Sequence, residues 1–175
     1  MTPAPDQLRD FARRYTEAWC SQDATHVAEH YAPDGSLTIN DGPASVGRAA
    51  ITEAARSFMV AFPDLQVLMD DVVAQGEGAE YRWTLVGTNT GPGGTGRRVR
   101  ISGFEEWTIG GDGLIAASLG HYDQAEYDRQ LEHGVERHFD RLAGQQAGVE
   151  PPPEAGGPIP ETRVVGPQIA PDQNS

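Results

Sequence analysis

Apolar residues in the first segment fall three and four apart, and Leu8, Phe11, Tyr15, Ala18 and Trp19 share one face of a helix predicted over 5–20. Ser21-Gln22-Asp23 follows as a turn with Asp23 as N-cap. Val27 and Tyr31 then mark a short second helix that Pro33-Asp34-Gly35 ends. Leu37 to Ile39 reads as a short strand and Asp41-Gly42-Pro43 as a turn. The stretch from Gly47 to Phe62 reads as a third helix, with Ile51, Ala54, Ala55, Phe58 and Phe62 along one side and Pro63 as its stop. Beyond Pro63 the punctuation becomes that of strands separated by Gly-rich turns, over 65–75, 79–89, 97–109 and 114–123. Consecutive strands without intervening helices predict an antiparallel meander. Gln124 to Leu142 has the pattern of a closing amphipathic helix, with Tyr127, Leu131, Val135 and Phe139 as apolar positions and Gly134 as its weak point.

Helices first and strands afterwards is the order of an α+β domain, in which the helices must cover one face of the sheet. The predicted fold is a curved antiparallel sheet wrapped on three helices, cone-shaped, with a cavity between the layers. This domain takes residues 1–142. Beyond it, seven of the thirteen prolines lie between Pro151 and Pro171, with almost no large apolar residues, so 143–175 reads as a disordered Pro/Gly-rich tail.

The 175 residues fit one domain with an appendage. A formal net charge of −13 repels phosphate backbones and anionic lipid, which argues against nucleic-acid and membrane partners. Cys20 is the only cysteine, so no disulfide forms within the chain and no Cys cluster holds zinc. With no apolar run long enough to span a bilayer and no basic-then-apolar start, the expected location is the cytoplasm.

Several local strings occur in a recognisable order: Tyr31-Ala32-Pro33-Asp34-Gly35, Val46-Gly47-Arg48-Ala49-Ala50-Ile51, Ala61-Phe62-Pro63-Asp64-Leu65, Gly87-Thr88-Asn89-Thr90-Gly91, Asp112-Gly113-Leu114-Ile115 and Tyr122-Asp123. Together they resemble the SnoaL-like polyketide cyclase family of the nuclear-transport-factor-2-like (cystatin-like) superfamily, over roughly residues 7 to 133. The resemblance implies a cofactor-independent, metal-free acid/base enzyme that closes or isomerises an apolar polyketide-like substrate in an enclosed pocket, and a homodimer. It equally accommodates a non-catalytic small-molecule-binding or dimerisation module. A further alternative is epoxide hydrolysis, with Asp123, Glu105 and Arg100 or Arg82 around one water.

By the same resemblance Asp123 matches the acid/base residue at the end of the last strand, Glu105 an oxyanion-holding acid, and Tyr15 an oxyanion donor on the first helix. The ketosteroid isomerase base of the first strand is Ile39 here, and the histidine of the family's Gly-Thr-His-Thr-Gly string is Asn89, which hydrogen-bonds but does not exchange protons near neutrality.

Read on their own, Leu119, His121 and Asp123 alternate along one strand and share a face, with the imidazole and carboxylate about 7 Å apart at the strand's rise. They form a candidate proton-transfer pair, provided burial raises the Asp123 pKa. The turn Gly110-Gly111-Asp112-Gly113 is one residue longer than the family's usual turn. A one-residue slip exchanges strand faces, so either Glu105 or Glu106 faces the pocket. Trp19, Phe58, Phe62, Trp83, Asn89, Trp107 and Leu119 complete the expected wall. His26 and His30 stand four apart without the rest of a zinc motif and are expected in solvent, as is His133.

Overall fold

A computed structural model of the protein describes residues 3–135. In chain order its elements are α1 (Pro5–Cys20), α2 (Ala24–Ala28), β1 (Tyr31–Ile39), β2 (Ser45–Val46), α3 (Arg48–Ala61), β3 (Gln66–Gln75), β4 (Gly78–Thr88), β5 (Arg98–Ile109), β6 (Ile115–Tyr122) and α4 (Gln124–His133). The fold is α+β. One curved, unclosed six-stranded sheet runs in the order β2-β1-β6-β5-β4-β3. The meander from β3 to β6 is antiparallel throughout.

Helix α1 begins with Pro5 at a position where its missing N–H leaves nothing unpaired, and it buries Leu8, Ala12, Tyr15, Thr16, Ala18 and Trp19. Helix α3 buries Ile51, Thr52, Ala54, Ala55, Phe58 and Met59, and Phe62 at its C-cap is fully buried. These stripes meet the inner sheet face, where Val67, Tyr81, Leu85, Val99, Ile101, Trp107 and Ile109 join the same core.

Three expectations need correction. The second helix stops at Ala28: Tyr31, at helical spacing from Val27, instead opens β1 opposite Ile115. Apolar spacing alone does not separate the two outcomes. The deciding contacts are long-range, from the Ile115 N–H to the His30 carbonyl at 3.0 Å and between the Tyr31 and Tyr15 hydroxyls at 2.9 Å. Pro33, Asp34 and Gly35 therefore lie within β1, at the register shift between Tyr31 and Ser36, a place where a proline's missing donor is tolerated.

The sheet is also not wholly antiparallel, since β1 pairs with β6 in parallel and β2, absent from the sequence reading, pairs with β1. Finally, His30 is buried and not solvated. Its Nδ1 lies 3.0 Å from the His26 carbonyl, and its ring packs edge-on against Phe11 and Tyr15.

The closing helix ends at His133, where Gly134 takes a φ of +84° as C-cap. Phe139, the remainder of the predicted helix and the whole of 143–175 lie outside the described residues. Among the described residues no helix is long and apolar enough to cross a membrane.

Candidate functional site

Burial along β5 alternates strictly near its end: Glu105, Trp107 and Ile109 are buried, whereas Glu106 and Thr108 are exposed. A register shift separates Thr108 from Ile109 just before the β5–β6 turn, and Glu105 lies on the inner face. Cross-strand partners share a face, so Tyr81 of β4 and Gly120 of β6, opposite Glu105, point inward with it. On β6 the inward set is thus Ser118, Gly120 and Tyr122.

Glu105 is 7% exposed and accepts hydrogen bonds from every side chain that reaches it. Trp107 Nε1 donates to Oε1 at 2.7 Å, Ser118 Oγ at 3.0 Å and the Tyr15 hydroxyl at 3.1 Å. The second oxygen, Oε2, has only a long contact of 3.4 Å with Tyr15. Behind Tyr15 stands the Tyr31 hydroxyl, which makes a short relay from β1 through α1 to the carboxyl.

Loss of solvent raises the Glu105 pKa above the ordinary carboxyl value, and the donations from Trp107, Ser118 and Tyr15 oppose but do not cancel that rise. Burial likewise pushes the Tyr15 and Tyr31 phenols well up, reinforced by the neighbouring Glu105 charge. Near neutrality both phenols therefore keep their protons, and the Tyr15 hydroxyl donates to the carboxyl.

Glu105 opens on a cavity between the sheet and helices α1, α3 and α4. Its wall is otherwise mostly apolar and aromatic, and includes Trp19, Phe58, Tyr81, Ile101, Tyr122 and Tyr127. Ile39, at the position of the isomerase base, is part of that wall.

Of the residues expected at the site, the structure brings together Glu105 and Tyr15, and it places Trp19, Phe58 and Trp83 in the cavity wall. Trp107 stands behind the wall, stacked on Tyr81 at 4.8 Å, and holds Glu105 through its indole N–H. Phe62 packs into the core near the Tyr127 ring. Asn89 organises the β4–β5 loop, where its Nδ2 donates to the Ala61 carbonyl and its Oδ1 accepts from the Thr95 N–H.

Leu119, His121 and Asp123 do share a side of the chain, but not that of the cavity. Leu119 is 45% exposed, and His121 pairs with Glu106 at 2.9 Å across the outer face. Asp123 is exposed at the N-cap of α4, accepting from the Glu126 N–H at 3.1 Å. Ser118, Tyr31, Tyr122 and Tyr127 were missed. The period of two along β6 contained Ser118 and Tyr122, as the set complementary to the one chosen for its His and Asp. Among the described residues no group of three or more His, Cys, Asp or Glu side chains is placed to hold a metal ion.

Comparison with known proteins agrees with this architecture. The sequence profile described as SnoaL-like domain matches residues 12–118. Among solved structures, a protein of ketosteroid isomerase-like fold from Catenulispora acidiphila, in complex with trimethylamine, superposes with a TM-score of 0.62 at 14% identity, over 69% of this chain and 91% of that one. A protein from Jannaschia sp. CCS1, provisionally assigned as a SnoaL-like polyketide cyclase, gives 0.64 at 18% identity over 74% and 96%. SalBIII, an epoxide hydrolase/cyclase-like enzyme with a role in pyran ring formation in the polyether salinomycin, gives 0.60 at 17% over 69% and 94%. At these identities the likeness is one of fold. No curated protein matches the chain.

Proposed function

The chain belongs to the SnoaL-like domain family, and on that premise we propose that it is an acid/base enzyme acting on an apolar, enolisable small molecule in the cavity, with Glu105 as the group that moves the proton. One observation carries this reading: a carboxyl buried at an apolar cavity wall has three donors converging on one oxygen and its other oxygen nearly unengaged. Ionised, Glu105 takes a proton at Oε2 from the carbon next to a substrate carbonyl. The C–H electron pair moves into the carbonyl to leave an enolate. The enolate carbon then attacks a second carbonyl, whose oxygen takes the proton back from Glu105 as the ring closes; in a β,γ-unsaturated ketone the extended dienolate instead recovers that proton at its γ-carbon, isomerising the substrate. Tyr15, Trp107 and Ser118 fix the carboxyl's orientation and stabilise its charged form. Burial raises its affinity for a proton above that of an ordinary carboxylate.

The polyketide cyclase and epoxide hydrolase/cyclase-like neighbours support an oxygenated, apolar substrate class. Asp123, spent on capping α4, is outside this scheme. The test is proton–deuterium exchange at the α-carbon of 1-tetralone in D₂O, followed by NMR. Wild type and Asp123→Asn are expected to catalyse it, and Glu105→Gln to bind the ketone while losing about 10²–10⁴-fold in rate. Equal exchange by Glu105→Gln and wild type, or none by any form, sinks the proposal.

A further inference from the structure

Two polar atoms of the cavity wall have no part in that proton transfer. The indole Nε1 of Trp83 and the hydroxyl of Tyr127 are buried without a hydrogen-bond partner among the described residues, and both side chains line the cavity. Tyr127 is 3% exposed. Buried donors are almost always paired in folded proteins, because water lost on burial has to be replaced by another acceptor.

The sheet register places this pair relative to Glu105. Trp83, Gly103 and Tyr122 stand opposite one another across β4, β5 and β6, and the Tyr81, Glu105 and Gly120 row lies two residues further along β5. That offset is about 7 Å at the rise of a strand. The first row forms an aromatic end to the cavity. The Tyr122 ring meets Trp83 at 6.1 Å and Tyr127 at 5.4 Å, and the Trp83 ring lies so close to Gly103 that a Cβ there would sit 2.6 Å from it.

The chemistry of the occupant follows from the donors and from the rest of the wall. An indole N–H only donates, so the group it meets is an acceptor, and a phenol donates to the same kind of atom. No Lys, Arg or His lines the cavity, and Glu105 does. An anionic ligand would therefore be buried beside a carboxyl without a counter-charge, which is strongly unfavourable. The acceptor that fits is a neutral oxygen.

We propose that Trp83 and Tyr127 form a second polar anchor that binds a neutral carbonyl or ether oxygen of the substrate, one row of the sheet away from the carbon that Glu105 deprotonates. The inference rests on the reading of the cavity as a substrate site. It narrows the substrate class to oxygenated apolar ring compounds, with selection against both hydrocarbons and acids.

Four bicyclic probes of nearly equal shape test it on the full chain: tetralin, chroman, 1-tetralone and 4-chromanone, which differ only in whether a ring position carries CH₂, an ether oxygen or a carbonyl. In ¹⁵N-labelled protein the Trp83 indole N–H resonance, assigned by its disappearance in Trp83→Phe, is expected to move downfield with the oxygenated probes and not with tetralin. The oxygenated probes should bind about three- to tenfold tighter than tetralin, the range of one hydrogen bond. Tyr127→Phe, which removes only a hydroxyl, should lose that preference while binding tetralin as wild type does.

Equal affinity of wild type for chroman, 1-tetralone and tetralin with an unmoved indole resonance overturns the proposal. So does failure of all four to bind, or an indole resonance already at its hydrogen-bonded position in the free chain and unchanged by every probe. These readouts need no turnover, so a failure of Glu105 as the proton-transfer group shows separately, as retained exchange activity in Glu105→Gln.

Discussion

Glu105 and Glu106 are neighbours on one strand, and the sheet puts them in opposite circumstances. Glu105 faces inward, 7% exposed, ringed by Tyr15, Trp107 and Ser118 and open to an apolar cavity. Glu106 faces outward with its side chain 47% exposed and pairs with His121. The same functional group is a desolvated, hydrogen-bonded carboxyl in one setting and a solvated surface carboxyl in the other. What separates them is strand parity: desolvation acts on the inner carboxyl, while water screens the outer pair.

The largest expected effect breaks the inner side. Glu105→Ala should remove α-proton exchange, a loss of about 10²–10⁴-fold. It should also destabilise the fold by about 1–3 kcal/mol, because buried donors from Tyr15, Trp107 and Ser118 lose their acceptor. Denaturant unfolding of the same samples measures the second effect.

Next in size is Gly103→Ala, whose Cβ would lie 2.4 Å from the His121 carbonyl oxygen and 2.6 Å from the Trp83 ring. Overpacking of this kind is expected to cost about 1–3 kcal/mol, read from the denaturant midpoint. Asp123→Ala should cost about 1 kcal/mol through the lost cap on α4 and leave exchange activity unchanged. If Asp123→Ala instead abolishes exchange at unchanged stability, the assignment of the proton-transfer role to the inner face fails.

The pH dependence of stability separates the settings further. The folded-state pKa of Glu105 is raised, so its contribution is present below the unfolded carboxyl value and is lost as pH rises through the folded one. Glu105→Gln, neutral at every pH, should therefore gain thermal stability relative to wild type as pH increases. His30 has the opposite sign. Burial lowers its pKa below the ordinary 6.5, so its contribution is present above that value and is lost as pH falls through the folded one. Melting curves from pH 4 to pH 9 on wild type, Glu105→Gln and His30→Gln measure both slopes. The smallest effect belongs to Glu106→Gln, within about 0.5 kcal/mol and with no change in exchange rate.

Most of the fold was legible because its signals are local. The apolar stripes of α1 and α3, the Asp23 cap and the Gly-rich turns between β3 and β6 all lie within a few residues of what they determine. Tyr31 was misread because its spacing from Val27 suits a helix, and only contacts with Ile115 and Tyr15 draw it into β1. The parallel pairing of β1 with β6 joins segments far apart in sequence and has no local signature.

The site was half legible for the same reason. Tyr15 and Glu105 follow from the family resemblance, with Glu106 open beside Glu105, whereas the β6 set chosen from its alternation, Leu119, His121 and Asp123, lies on the outer side, since a period of two has no intrinsic inside. The register of β6 against β5 settles the parity, and it turns His121 and Asp123 away from the cavity while turning Ser118 and Tyr122 toward it.

The most direct measurement is the titration of the Glu105 side-chain carboxyl itself, by ¹³C NMR of protein labelled at the glutamate carboxyl carbon, with the resonance assigned from its absence in Glu105→Gln. The account predicts a midpoint displaced upward from the ordinary glutamate value of 4.5 and moving again when an apolar ketone fills the cavity. A carboxyl that titrates at or below 4.5 and ignores the ketone would contradict it.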